Sequence, residues 1–386
     1  MNKYLGEDIL KLGFGLMRLP TIGETIDLEQ TKRMVDAFIE KGGTYFDTAY
    51  VYGNGKSENA ARDAVVKRYP REAFQLASKL PMWMVNKEAD MDRYFNESLE
   101  RAGVEYFDFY LLHGMRATSS DRFPSSNLEK SDEFSAWKFI QKKKAEGKIK
   151  HIGFSFHDTA DVLDRVLTEH PETEFVQLQI NYVDWDDDTI QSRKCYETAR
   201  KHNVPVIIME PVKGGTLAAL RSDASGILKG ANPNASLASW AIRFCASLEG
   251  VITVLSGMSS LEQLNDNISY MNAKDFKMMD DWERYVLKKV IKAVHNVETI
   301  GCTACRYCTD GCPQKINIPG IFSVTNSYRV YGKLLDGITT QYRNVVKDGG
   351  IASDCIACGS CESHCPQKLE IISLLRESAK IFDKAE

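Results

Sequence analysis

The sequence predicts an α/β chain with a (β/α)8 or TIM barrel over residues 1–275 and a smaller, mainly helical domain over 276–386. Three observations carry that expectation. Short β-rich apolar runs alternate with amphipathic segments of helical period through about the first 270 residues, the pattern of repeated βα units on a parallel sheet. Eight such units match a closed barrel, typically ~250 residues long. An open doubly wound sheet is the competitor, but no G-x-G-x-x-G follows the first strand. Beyond about residue 275 the alternation gives way to helical segments and a cysteine motif written twice.

The elements follow in order. A strand at 13–17 precedes a helix at 28–41. The next strand, 44–48, ends around Asp47 and leads past Tyr52 into a helix at 57–68. The third, 74–80, finishes on Lys79 and is followed by a helix at 90–102. The fourth, 107–113, finishes on His113, and its helix comes only at 134–146. The long Ser-, Asp- and Arg-rich stretch 114–133 between them is placed to act as a lid or specificity loop. Strands at 150–156, 175–181, 205–210 and 251–256 complete the set. Their helices are expected at 160–169, 189–202, 235–246 and 260–271. In the second domain a helix-prone stretch at 328–346 separates the cysteine motifs, and a last helix, 370–379, closes the chain.

Function in such a barrel sits at the C-terminal ends of the strands. Asp47, Tyr52, Lys79 and His113 gather there. Together they suit the protonation of a carbonyl oxygen while hydride reaches its carbon. Tyr52 is the expected general acid, and Lys79 is expected to lower the phenol from its usual pKa of about 10. Asp47 would fix Lys79, and His113 would orient the carbonyl by a hydrogen bond. Any one of these residues alone is as readily structural; four at successive strand ends are not.

The cysteines speak for a second chemistry. Eight of ten lie in two C-x2-C-x2-C-x3-C-P runs: Cys302, Cys305, Cys308, Cys312 and Cys355, Cys358, Cys361, Cys365. At this spacing three thiolates hold three corners of one 4Fe–4S cluster while the fourth reaches the neighbouring cluster. Crosswise sets follow: Cys302, Cys305, Cys308 with Cys365, and Cys355, Cys358, Cys361 with Cys312. A disulfide framework belongs to short secreted chains, and zinc sites pair separated C-x2-C knuckles. The domain therefore reads as ferredoxin-like with two clusters, either inserted or all-helical.

Bulk properties narrow the partners. A formal charge of -4 with interspersed signs gives no reason to expect nucleic acid, and no stretch is apolar enough for a membrane span or a signal peptide. A reducing cytoplasm is expected. Cys195 and Cys245 lack partner motifs and read as small buried hydrophobes. His151, His157, His202 and His295 lack ligand spacing and read as ordinary polar contacts. Met82, Trp83 and Trp185 suggest an apolar or aromatic substrate pocket, and rim packing explains them equally well.

The chain resembles the aldo/keto reductases from about residue 12 to 267. The likeness rests on Gly-Phe-Gly-Leu-Met at 13–17, the Phe-Asp-Thr-Ala-x-x-Tyr-Gly segment ending at 53, Lys79 and Leu-Leu-His at 111–113. It continues through Ile-Gly-Phe-Ser at 152–155, Gln-Leu-Gln-Ile-Asn-Tyr at 177–182, Glu-Pro-Val-Lys-Gly-Gly at 210–215 and Ser-Gly-Met-Ser-Ser at 256–260. The layout is similar to family members carrying a C-terminal 4Fe–4S ferredoxin domain. The resemblance implies NAD(P)H-dependent carbonyl reduction with Asp47, Tyr52, Lys79 and His113 as the tetrad. It further implies that Ser155 and Gln179 bind the nicotinamide carboxamide, Tyr182 stacks on the ring, and Gly15 and Met17 line its near side. Gly257, Ser259, Gln263 and Asn267 would approach the adenosine phosphate end. Three positions depart from the family pattern. Phe156 stands where Asn is usual and removes a polar contact. Gly257 and Gln263 stand where many members carry Lys and Arg, cations that grip a 2'-phosphate, so the choice between NADP and NAD stays open.

A nicotinamide delivers two electrons together, whereas each cluster takes one. Three readings are therefore carried. In the first, the barrel reduces a small-molecule aldehyde or ketone and the clusters are structural or serve an electron-transfer protein partner. In the second, a flavin or a radical step couples clusters and barrel in a ferredoxin-linked oxidoreductase. The third is a nucleotide-sensing redox docking module, against which the intact tetrad argues.

Overall fold

The computed structural model describes residues 4–117, 126–188, 190–272, 274–302, 304–331, 337–365 and 367–383. The chain divides into two compact units, one of Met1–Val212 with Ala238–Arg284 and one of Lys213–Leu237 with Tyr285–Glu386. The sequence reading drew one boundary at 275. The observed units part at Arg284, and the segment Lys213–Leu237 joins the second unit.

In the first unit, strands β1 (Leu12–Gly15), β4 (Tyr45–Asp47), β5 (Gln75–Leu80), β6 (Phe107–Met115), β7 (Ile149–Phe156), β8 (Phe175–Gln179), β9 (Val206–Met209) and β10 (Val251–Ser256) form a closed barrel. All neighbours pair in parallel, and β1 closes the ring against both β4 and β10. The eight expected strands are thus the eight barrel staves. An unforeseen antiparallel hairpin, β2 (Thr21–Ile22) and β3 (Thr25–Ile26), follows β1. Gly23 at φ 60° supplies the backbone conformation its two-residue turn needs.

Tyr45, Ala77, Phe109, Phe175, Ile207 and Ile252 fill the barrel interior, and Tyr4 and Leu5 pack against them from the N-terminus. Edge-to-face contacts of Tyr45 and Phe175 with Phe109, at 5.0 and 5.1 Å, knit this layer. Burial of each such side chain contributes roughly 1.5–3 kcal/mol. With that end plugged, the strand C-termini are left for chemistry.

Two expected helices are broken. The segment at 57–68 is an α-helix only over Ser57–Ala61 and continues as a π-helical turn over Arg62–Val66. In place of one helix at 134–146 there are two, Asn127–Glu133 and Ala136–Ala145, separated by Ser135 at φ 55°. Residues 118–125 of the expected lid lie outside the described residues, as does residue 189 of the helix expected at 189–202, which is observed over Ser192–Lys201.

The second unit is helical: Ser222–Ala231, most of Asp281–His295, Ile318–Tyr331, Ile338–Val346 and Ile371–Phe382. The stretch expected at 328–346 is the end of one helix and the whole of another, with 332–336 outside the described residues. Ile316, Ile318, Ile321, Phe322, Ile371 and Leu375 form its core together with Cys308 and Cys361. Tyr342 stacks on Phe382 at 4.6 Å and donates its hydroxyl to Asp383 at 2.6 Å. Arg221 ties the segment after β9 into this unit by donating to the carbonyls of Arg329 (2.9 Å) and Ala293 (3.2 Å). Among the described residues no helix is long and apolar enough to cross a membrane.

Candidate functional site

Strand register brings the expected tetrad together. Asp47 ends β4 and pairs with Gly15 on one side and Ala77 on the other; Lys79 lies two residues further along β5 and pairs with Leu111 of β6. Tyr52 sits in the turn after β4, where Gly53 and Asn54 adopt left-handed conformations that turn the chain back. His113 falls within a register irregularity between Leu112 and Met115 of β6, a local break that re-aims side chains at sheet rims.

Lys79 is fully buried and donates to Asp47 Oδ1 at 2.5 Å and to the Thr48 carbonyl at 2.7 Å. Its Nζ lies 4.6 Å from the Tyr52 ring centre. A buried ammonium is tolerated only with such partners. Burial pulls the Lys79 pKa down, but the Asp47 charge, with Tyr52 and the hydrogen bonds, more than offsets it, and the net shift is upward. Lys79 stays a cation.

The expectation for Tyr52 needs correcting. Burial raises its phenol above the ordinary value, and Lys79 opposes that rise without reversing it; Asp47 and Glu210 add to it. The sequence shows the lysine beside the tyrosine but not the desolvation that outweighs it. The phenol is therefore held in its protonated form, the state a general acid requires.

His113 is held well below the usual imidazole value by burial, with the Lys79 charge and His157 adding. It is a neutral ring. It meets Tyr52 edge-on at 5.7 Å and Trp83 at 4.9 Å, and its Nδ1 is buried with no hydrogen bond among the described residues. Trp83 is fixed in turn by Lys130, which donates to the carbonyls of Trp83 (3.1 Å) and Val85 (2.7 Å). Asn127, just past the undescribed stretch, donates to the Gly114 carbonyl at 2.7 Å. Trp185 instead packs on Phe244 and Tyr196, and Met82 is fully buried.

Two further residues bear on this end of the barrel. His157, expected to be an ordinary polar contact, is close enough to bear on the His113 pKa, and burial, with the Arg116 charge adding, pushes its own down to about 4. Glu58 is fully buried, accepts from Ser78 Oγ at 2.6 Å, and stands 3.9 Å from Arg101. As an acidic residue in a helix's first turn it looks solvated from sequence. Only its place after the Tyr-Gly turn hinted otherwise.

The expected cofactor residues divide into two groups. Ser155 Oγ accepts the Gly114 N–H at 2.8 Å, and its own hydrogen is given to no described residue. Ser155 pairs with Gln177, which places Gln179 two residues further along β8 on the same side of the sheet. No hydrogen bond holds the Gln179 amide among the described residues. These two uncommitted groups on neighbouring strands fit a carboxamide. Gly15 is buried at the end of β1, where an added Cβ would stand 3.4 Å from the Ser256 carbonyl, and Met17 is 56% exposed. Tyr182 is buried beside Phe244 at 6.3 Å, its hydroxyl without a partner among the described residues. The phosphate-end residues, by contrast, are largely bound to their own chain. Gln263 Oε1 accepts the Ser259 N–H at 2.7 Å. Ser259 Oγ donates to the Arg18 carbonyl at 2.7 Å, and Asn267 donates to Ser256 Oγ at 2.9 Å and accepts from Tyr270 at 2.6 Å. Gly257 lies against the Arg18 side chain.

In the second unit the eight motif cysteines line two pockets. Cys302, Cys305, Cys308 and Cys365 face one; Cys312, Cys355, Cys358 and Cys361 face the other. The repeat is also a repeat of backbone. Ala304 and Ala357 have φ 55° and 57°, Arg306 and Gly359 have 65° and 79°, and Lys315 and Lys368 both have 51°. Left-handed residues between thiolates turn successive N–H groups inward as an anion-binding nest. Among the described residues no three potential ligands converge on a single metal ion. Cys195 and Cys245 lie apart and are buried, their thiols on the carbonyls of Asp158 (3.6 Å) and Ile180 (3.2 Å).

Comparison with known proteins matches the model of the aldo/keto reductase family to residues 11–284 and that of a 4Fe-4S dicluster domain to residues 301–370. Among curated relatives, the uncharacterized oxidoreductase YqkF of Bacillus subtilis is 24% identical over 69% of this chain and 89% of its own. The L-galactose dehydrogenase of Arabidopsis thaliana is 24% identical over 76% and 93%. Among solved structures, an aldo-keto reductase from Klebsiella pneumoniae in complex with NADPH superposes with a TM-score of 0.58 at 22% identity, covering 73% of this chain and 91% of its own. The holo form of the aldo-keto reductase AKR11C1 from Bacillus halodurans gives 0.57 at 22%, over 74% and 93%. These superpositions bear on the fold.

Proposed function

The chain belongs to the aldo/keto reductase family and carries a 4Fe–4S domain beyond the barrel, and from that premise we propose that it reversibly reduces an aldehyde or ketone with NAD(P)H. When bound, the nicotinamide supplies hydride, two electrons and a hydrogen together, to the carbonyl carbon. Tyr52 gives its hydroxyl proton to the carbonyl oxygen, so that the substrate gains one hydride and one proton and leaves as the alcohol. Lys79 stabilises the phenolate that remains, and Asp47 keeps Lys79 charged and in place. Neutral His113 hydrogen-bonds the carbonyl oxygen and fixes the face it presents. Ser155 and Gln179 hold the carboxamide, and Trp83 walls the substrate side. The observation that carries this reading is the buried Lys79–Asp47 pair set against the Tyr52 ring.

The cysteine cavities fit two 4Fe–4S clusters held crosswise by the sets given above. Such clusters pass single electrons, so hydride transfer to a carbonyl proceeds without them and they serve structure or an electron-transfer partner. Thiolate ligands of this kind belong in a reducing compartment, the cytoplasm. Oxygen-free preparation should yield about eight irons per chain. Under those conditions NADPH plus an aldehyde should give the alcohol while the cluster absorbance stays constant. Bleaching by NADPH alone would favour the ferredoxin-linked, flavin-coupled reading instead.

A further inference from the structure

Within the second unit the two cysteine pockets repeat one backbone design with different charges. They share a wall, since buried Ile318 lines both. Arg306 lines the pocket of Cys302, Cys305, Cys308 and Cys365, and it is the one charged side chain among the described residues that line either pocket. Its counterpart in the second repeat is Gly359. Both positions have left-handed backbone, φ 65° and 79°, which glycine adopts freely and arginine only at a cost. The first repeat thus keeps a cation where the backbone favours glycine, and strain retained beside a site points to a role there. Charges of the opposite sign mark the second repeat. From the residue before its first cysteine to its fourth, it carries Asp354 and Glu362 and has a net charge of -2, whereas the same span of the first carries Arg306 and Asp310 and is neutral. Both acids of the second repeat are held in place. Asp354 Oδ2 accepts the Ile351 N–H at 2.9 Å, and Glu362 Oε1 accepts, at 2.8 Å, the N–H of Ile372, which lines the second pocket. Reduction adds one negative charge to a 4Fe–4S cluster, so a neighbouring cation favours it and neighbouring carboxylates oppose it.

We propose that these charges make the two clusters unequal, Arg306 drawing a single electron to the one on Cys302, Cys305, Cys308 and Cys365 while Asp354 and Glu362 keep it off the other. An electron from any one-electron donor comes to rest there, with no bond made or broken and no proton moved. Exchange between the two runs across the wall at Ile318. The inference rests on the two-cluster reading above.

Stepwise reduction of the intact, anaerobically purified chain by dithionite with redox mediators, followed by electron paramagnetic resonance, tests it without turnover. The parent should reduce in two one-electron steps, the first giving the signal of one isolated cluster and the second the broadening of two clusters in magnetic contact. Arg306→Gly, which restores the residue that the other repeat uses at this backbone conformation, should move the upper step down by about tenfold in the reduced-to-oxidised ratio, ~59 mV for one electron. The lower step should stay within about threefold, and Arg306→Lys should hold both steps within the same range. Glu362→Gln, which keeps an acceptor for Ile372, should raise the lower step. A parent that reduces in a single step would overturn the proposal, as would an upper step unmoved by Arg306→Gly, a shift of the lower step instead, or an equal shift of both. A parent holding about four irons per chain would instead remove the two-cluster reading itself.

Discussion

Lys79 is the residue on which the site turns, because a fully buried ammonium is affordable only where another charge and a carbonyl meet it. Asp47→Asn would leave that ammonium with the Thr48 carbonyl and a neutral amide. Loss of a buried partner costs roughly 3–5 kcal/mol, so the variant should unfold at clearly lower urea and lose carbonyl reduction with it. A variant within about 1 kcal/mol of the parent would mean that Lys79 does not depend on Asp47 for its charge. Which four residues meet at the site was legible in the sequence, because strands that start apolar and end polar fix where their last side chains stand. The direction of the Tyr52 shift was not. It depends on how much protein surrounds the phenol, and packing from β5, β6 and the turn after β4 is a property of the closed barrel. Glu58 was hidden for the same reason, its burial set by Ser78 and Arg101, 20 and 43 positions away in sequence.

At the level of elements, the short β-rich apolar runs identified every barrel stave, and departures collected where the backbone leaves regular geometry. The break at Ser135, the π turn after Ala61 and the irregularity at His113 each involve a locally unfavourable conformation that only tertiary contacts hold. Close approach between staves is a further feature that pattern does not reveal. Gly153 of β7 lies so near β8 that an added Cβ would stand 2.4 Å from the Phe175 carbonyl oxygen and 2.8 Å from its ring. Backbone oxygen cannot swing aside as a side-chain tip can. Gly153→Ala should therefore lower stability by roughly 1–3 kcal/mol, read from the denaturant midpoint at an unchanged slope. Because Ser155 is two residues along the same strand, loosened carboxamide binding should accompany it. An alanine variant as stable as the parent would show that β7 and β8 can separate freely.

For the molecule as a whole, the doubled cysteine motif and the strand count already divided the chain into a barrel and a helical cysteine-bearing unit. The segment after β9 was the surprise. Its helix Ser222–Ala231 and the Arg221 bonds to Arg329 and Ala293 belong to the second unit, so the chain leaves the barrel unit after the seventh stave and returns before the last, β10. No local pattern announces such an excursion, because its partners lie 72 and 108 residues further on. Under the proposed function the barrel site is chemically self-sufficient: Tyr52, Lys79, Asp47 and His113 all lie within the first unit, while all eight motif cysteines lie within the second. Tyr52→Phe in the full-length chain tests this most directly, with carbonyl reduction, NADPH affinity and iron content measured on the same anaerobic sample. Turnover should fall by about 10²- to 10⁴-fold while NADPH affinity and iron content stay at parent values. Turnover within about threefold of the parent would contradict the assignment of Tyr52 as the proton donor.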